Sequence, residues 1–251
     1  HIAADLLPEH EFLGRCIAYG HNGSACLHLG RVDESIEKLS QAMQLSKLVD
    51  YKMVYLLWFS YHAQAISARG ELTRAKTLYQ EAYVIAENTG LQKSNVFSNA
   101  VIGLGNLYYE WNDLHEAGKV FENGVSIAET GDYLDRLLIG YFSFLKIWIA
   151  RGDYIQIEDK LSFGKTIASK YNNPPDVMHG FGAIQARLSL AKGDLQRASQ
   201  WARSVRVPSE IGDLNSLIEY QLRTLVNVWL AEGNNEQAVD LASTLYALAQ
   251  R

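Results

Sequence analysis

The sequence predicts an all-α fold, a right-handed superhelix (solenoid) of about six helix-turn-helix repeats. Three observations carry that expectation. A hinge motif, roughly glycine, any residue, an apolar residue, two residues and a small one, recurs along the chain. The intervals between hinges are nearly constant. Each hinge lies between two stretches whose apolar residues return at helical spacing.

The hinges stand at Gly30, Gly70, Asn112, Gly152, Gly193 and Gly233, giving spacings of 40, 42, 40, 41 and 40 residues. The apolar position is Val32, Leu72, Leu114, Tyr154 or Leu195, with Asn235 a weaker match. Ser35, Ala75, Ala117, Ala198 and Ala238 supply the small residue. Glycine there lets the chain turn left-handed and end a helix, and the Asp or Asn after several hinges can cap the next one. The first helices, such as Val54 to Phe59 and Leu137 to Ala150, are apolar nearly all round and must be buried on more than one side. The second helices, such as Ala75 to Ala82, are amphipathic and form an outer layer.

The best-formed copy runs from Leu104 to Gly124. Gly105 and Ala117 are small, Tyr108 and Phe121 are large, and Gly124 is small again. Small residues let helices approach and large ones fill the spaces, which is the tetratricopeptide (TPR) pattern. A period near 40 leans towards HEAT repeats, but these packing residues decide for TPR-like units with longer helices and loops. One hairpin cannot bury enough apolar surface to offset its own ordering, so neighbours must stack. Breakers at Glu87 to Gly90, Glu129 to Asp132, Asn172 to Pro175 and Val207–Pro208 mark inter-repeat loops too short to be linkers. Residues 1–251 are therefore read as a single domain.

Composition narrows the function classes. With 48% apolar and 20% charged residues and four prolines, the chain is a folded protein. A net charge of −5 argues against nucleic-acid binding by this stretch. Cys16 and Cys26 fall in one helix about 15 Å apart, too far to bridge, and fit a reducing cytoplasm. Leu137 to Ala150 is too short for a membrane span and contains Lys146. The chain starts at His1 rather than Met and is read as a fragment of a larger protein.

At Tyr108-Tyr109-Glu110-Trp111-Asn112-Asp113-Leu114 the chain resembles the superhelical region of MalT-like, LuxR-type transcriptional activators. Leu7-Pro8-Glu9 with Phe12-Leu13-Gly14, Ala150 to Asp153, Leu190 to Leu195 and Trp229 to Gly233 agree with that family, in the same order. The resemblance implies a sensor superhelix between an N-terminal ATP-dependent switch module and a C-terminal helix-turn-helix module. Neither a phosphate loop nor a recognition helix is present in this stretch, so ATP and DNA binding are implied for other parts of the parent, and no cofactor for this one. At three anchors the pattern departs: Leu145 and Val226 replace the small residue before the hinge, and Ile157 replaces the alanine after it. Repeats four and six are expected to pack more loosely.

In the TPR architecture the residue after the small packing position points into the concave groove. That row reads Ser24, Gln64, Asn106, Lys146, Arg187 and Asn227, all polar within apolar helices. Cys26, Ile66, Tyr108, Trp148, Ser189 and Trp229, two residues on, form a packing row. Tyr109, Phe142, Arg223 and Tyr220 lie within a turn or two of the groove row. Gln64, Asn106, Tyr109, Phe142, Lys146, Arg187, Tyr220, Arg223 and Asn227 are thus the candidate ligand residues. Amides, three cations and aromatics suit an anionic or polyhydroxyl small ligand or an acidic peptide. The bland alternative is a solvated inner surface, since exposed polar residues are common.

No catalytic nucleophile–base pair and no metal-ligand spacing emerges. Gly103 and Gly105 resemble part of a dinucleotide fingerprint but fall inside a helix with no preceding strand, so they read as packing glycines. Asn22-Gly23-Ser24 is a glycosylation triplet without secretory context. The five tryptophans, Trp58, Trp111, Trp148, Trp201 and Trp229, read as core or inter-repeat wedges. The leading expectation is a non-catalytic, cytoplasmic sensor and oligomerisation domain that takes a small-molecule inducer or a protein segment. A TPR adaptor unrelated to transcription is the alternative. Leu241, Leu245 and Leu248 share a face of the last helix, and with no polar helix after them an open apolar edge and self-association are expected.

Overall fold

The computed structural model describes residues 6–131, 134–155, 157–170, 175–207 and 216–249. Among these residues there are twelve α-helices and no strand. The chain divides into two compact units, His1–Gly140 and Tyr141–Arg251.

The first unit holds α1 (Phe12–His28), α2 (Val32–Leu48), α3 (Lys52–Ala68), α4 (Leu72–Thr89), α5 (Asn95–Glu110) and α6 (Leu114–Thr130). The division falls inside α7 (Leu134–Arg151). The second unit continues with α8 (Ile157–Ser169), α9 (Pro175–Ala191), α10 (Leu195–Ser204), α11 (Ser216–Glu232) and α12 (Asn235–Ala249).

All six expected hinges are left-handed turns, with φ of +76° at Gly30, +85° at Gly70, +58° at Asn112, +74° at Gly152, +77° at Gly193 and +84° at Gly233. Each closes the same way. The hinge N–H donates three residues back, and the next N–H donates to the carbonyl five residues before it, as in Gly30 N to Leu27 O at 3.1 Å and Arg31 N to Cys26 O at 2.9 Å. This is the Schellman closure. The carbonyls reached by the longer bond belong to Cys26, Ile66, Tyr108, Trp148, Ser189 and Trp229, which is the packing row. Asp113 and Asp194 then cap the following helices, their carboxylates accepting from Glu116 N at 3.2 Å and Arg197 N at 3.0 Å.

Within each unit the first helix of a pair packs on the first helix of the next, α1 and α5 on α3 in one unit and α9 on α11 in the other. The second helices pack against these first helices in turn. Position α3 shows why its sequence is apolar all round: residues 58–63 are buried without a break. The small residues work as seats for rings. A methyl group added at Gly105 would stand 2.8 Å from Phe121, and one at Gly103 2.5 Å from Tyr79, so the Gly-Leu-Gly triplet serves helix packing. In the second unit Gly164 lies beneath Phe181 and Gly182 beneath Trp201.

Three expectations need correction. Leu145 and Ile157 are both 0% exposed, so these larger residues fill repeat four instead of loosening it. Trp111 is not a core wedge; it is 39% exposed at the end of α5, where Lys76 Nζ lies 5.4 Å above its ring. Leu241 is buried and Leu245 packs on the same cluster with Leu222, Leu225 and Val228, so most of the expected leucine edge is already covered. The large apolar side chains left exposed on α12 are Val239 and Tyr246. Of the expected loops, Asp132, Asn172, Asn173, Pro174 and Pro208 lie outside the described residues.

Candidate functional site

Every member of the groove row, Ser24, Gln64, Asn106, Lys146, Arg187 and Asn227, is half-buried. The residues just before them, Gly23, Ala63, Gly105, Leu145 and Ala186, are buried, and Val226 is half-buried. A polar side chain beside a buried small residue is thus held at the edge of the helix contact, part packed and part in water.

In the first unit Gln64 lies on α3, and Asn106 and Tyr109 on α5. Tyr109 is half-buried one turn from Asn106.

The second unit brings four predicted residues together. The Phe142 ring meets Tyr220 edge-on, with centroids 5.4 Å apart and planes at 86°. Lys146 Nζ lies 5.6 Å from the Phe142 centroid and 5.9 Å from that of Tyr220. The Arg187 guanidinium carbon lies 5.5 Å from the Tyr220 centroid. Two cations from α7 and α9 therefore converge on one aromatic ring from α11, with Phe142 behind it. Cations held over ring faces are attracted by the ring quadrupole, which helps to position both side chains. Arg187 keeps its Nε buried with no hydrogen-bond partner among the described residues.

Two other predicted residues are engaged differently. Arg223 is exposed and its guanidinium is 3.3 Å from Glu219 one turn earlier, so part of its charge is met locally. The Asn227 amide donates to the Arg223 carbonyl of its own helix at 3.0 Å. Phe142 and Tyr220 are 4% and 9% exposed, which makes them walls of the cluster rather than open stacking faces.

Sequence reasoning missed the residue that makes this possible. Gly180 of α9 lies against the Phe142 ring, where an added methyl would sit 2.8 Å away. One turn of α9 with two glycines, His179 to Gly182, is the available signal, but nothing in one sequence says which ring they receive. Glu219, one turn before Arg223, could have been read as its partner from helical spacing.

The arrangement can hold an anion by charge-assisted bonds from Lys146 and Arg187 beside an apolar wall. Among the described residues no set of three His, Cys, Asp or Glu stands close enough to hold a metal ion. No helix among them is long and apolar enough to cross a membrane.

The MalT-like TPR region family matches residues 2–251. The chain belongs to that family. No curated protein sequence matches it. Solved structures similar in fold include three TPR-like proteins. A Rap protein complexed with Competence and Sporulation Factor is 17% identical, with a TM-score of 0.75 over 97% of this chain and 65% of that one. Aspartyl phosphate phosphatase F from Bacillus subtilis is 14% identical, with a TM-score of 0.70 over 96% and 61%. The apo form of RapI is 12% identical, with a TM-score of 0.65 over 98% and 84%. The chain thus spans less than two thirds of the first two proteins. At these identities the likeness is one of fold: an all-α solenoid of TPR-like repeats, the architecture that presents extended interaction surfaces.

Proposed function

We propose that this MalT-like TPR domain is the ligand-sensing and protein-interaction domain of a signal-responsive LuxR-type transcriptional regulator, working in the cytoplasm without catalysis of its own. The observation that carries this reading is the convergence of Lys146 and Arg187 on Tyr220, three side chains from three successive first helices of the second unit. A ligand held there touches α7, α9 and α11 together, so its binding bears on how those repeats pack against one another. Such a coupling is what a sensor needs. An anionic small molecule or an acidic peptide suits the charges. ATP and promoter binding belong, on this reading, to other modules of the parent protein.

The test is a thermal-shift screen of the parent protein against carboxylate-bearing small molecules, acidic peptides and uncharged polyols. A hit is then titrated against the Arg187→Ala/Arg223→Ala variant. Binding is expected to be abolished while the melting temperature of the free protein stays nearly unchanged. An unaltered affinity would sink the proposal.

A TPR adaptor unrelated to transcription is the second reading, favoured by the fold likeness to a Rap protein solved with a bound factor. The parent gene separates the two. A phosphate loop upstream and a helix-turn-helix downstream support the regulator, and their absence supports the adaptor. Self-association belongs to either reading, and sedimentation over a wide concentration range tests it; a strictly monomeric species counts against it.

A further inference from the structure

The second unit has another polar cleft, built from residues outside the groove row. It encloses about 330 Å³ and is lined by Glu158, Leu161, Ser162 and Lys165 of α8, Gln185 of α9 and Arg197 of α10. Leu161 is only 2% exposed and forms a buried floor. Lys165 and Gln185 are half-buried, while Ser162 and Arg197 stand at the exposed rim.

The charges in this cleft do not balance. Glu158 is its single lining carboxylate, and Lys192 Nζ sits 2.8 Å from Glu158 Oε1. The nearest acid along α10, Asp194, takes the backbone N–H of Arg197 at 3.0 Å as the helix cap. Neither the Lys165 ammonium nor the Arg197 guanidinium is in an ion pair among the described residues. Burial first, and then the Arg197 charge, holds Lys165 below the ordinary lysine value. Glu158 feels the Arg197 charge as well as that of Lys192, so one carboxylate stands against three cations, and a further group of opposite sign would be favourable there.

Arginine does not relieve the repulsion by losing its proton, and an anion joining the two cations would keep Lys165 charged as well. The neutral donors fit that role: the Ser162 hydroxyl and the Gln185 amide border the same cleft as the two cations. Four donor groups around one space suit a tetrahedral oxyanion better than a planar carboxylate, which offers two oxygens. A phosphate monoester brings three acceptor oxygens and about −1.5 to −2 charges. The volume lies at the small end of the range for ligand pockets, about 300 to 1,000 Å³.

We propose that this cleft is an oxyanion site that binds the phosphate group of a small ligand, held by Lys165 and Arg197 with Ser162 and Gln185 completing its donors. It is separate in residues from the Lys146–Arg187–Tyr220 cluster, so it stands or falls independently of the sensor reading.

The experiment is a titration of the 251-residue chain with inorganic phosphate and with phenyl phosphate, against sodium chloride at matched ionic strength and against acetate. Melting temperature and the amide resonances of Ser162 and Gln185 report binding. Both phosphates are expected to raise the melting temperature beyond chloride and to shift those two resonances. Lys165→Met, which keeps the aliphatic stem, and Arg197→Gln should each weaken binding at least tenfold without lowering the melting temperature in phosphate-free buffer. Arg203→Gln, on the same helix but outside the cleft, should bind normally. Equal affinity in the parent and the Lys165→Met/Arg197→Gln variant overturns the proposal. So does chloride matching phosphate, or acetate binding as tightly as phosphate.

Discussion

Replacing Gly105 by alanine tests whether close helix approach, rather than helix propensity, sets the stability of the α5–α6 hairpin. Alanine in a helix interior is favoured over glycine by about 1 kcal/mol. Against that gain, the new methyl would stand 2.8, 2.9 and 2.9 Å from three ring carbons of Phe121. Phe121 is 0% exposed, so its ring has no solvent to move into. Overpacking of this kind costs about 1–3 kcal/mol, and rigid neighbours place it in the upper half of that range. The net loss is therefore about 1–2 kcal/mol. Gly124, across the hairpin on α6, is the internal control. Its added methyl would meet Ile102 Cγ1 and Val101 Cγ1 at 3.2 Å, contacts that small rotations relieve. Gly124→Ala is expected to be neutral or stabilising by up to about 0.5 kcal/mol. Urea unfolding followed by far-UV circular dichroism should show a midpoint about 0.5–1 M lower for Gly105→Ala, at a slope of about 2 kcal/mol/M. Phe121→Leu should reduce the added cost of Gly105→Ala, because the shortened side chain makes room for the methyl. If Gly105→Ala is as stable as Gly124→Ala, or more so, the seat-and-ring account of this hairpin is wrong.

Two further outcomes follow from buried titratable groups. Burial, then the charges of Arg74 and Arg69, hold the His62 imidazole below its ordinary value of 6.5. Folding therefore favours the neutral ring: its contribution is present above pH 6.5 and is lost as pH falls below that towards the lower folded value. His62→Gln should flatten the decline in melting temperature between pH 7.5 and 5.5, and an unchanged acid slope refutes the assignment. Cys16 and Cys26 are buried, and burial is the largest cause raising both thiols, so the nucleophilic thiolate is scarce. Neither should react with a thiol reagent at pH 8 in native buffer, and both should react at once in urea. Rapid native labelling at either position contradicts that burial.

The fold was legible because its strongest signals are local. A glycine or asparagine that turns left-handed needs only its own backbone, and all six hinge positions do so. The candidate site was legible in part, and the reason is geometric. Every groove-row residue stands six positions before its hinge, from Ser24 before Gly30 to Asn227 before Gly233. The Schellman closure ties the carbonyl four positions before each hinge to the N–H just after it, so each first helix ends in the same phase. A residue at a constant offset from that closure must point the same way in every repeat. That is why the hinge register alone singles out Lys146 and Arg187. What they meet is set by contacts between helices, which carry no fixed offset. Phe142 became a wall because Gly180, 38 residues later, leaves room for its ring. Lys165 and Arg197 stand on α8 and α10, second helices, and meet only across the cleft that these helices line. The chain therefore advertises its half-buried polar row through periodicity and conceals its cleft charges, because charge balance depends on neighbours in space while phase depends on neighbours in sequence.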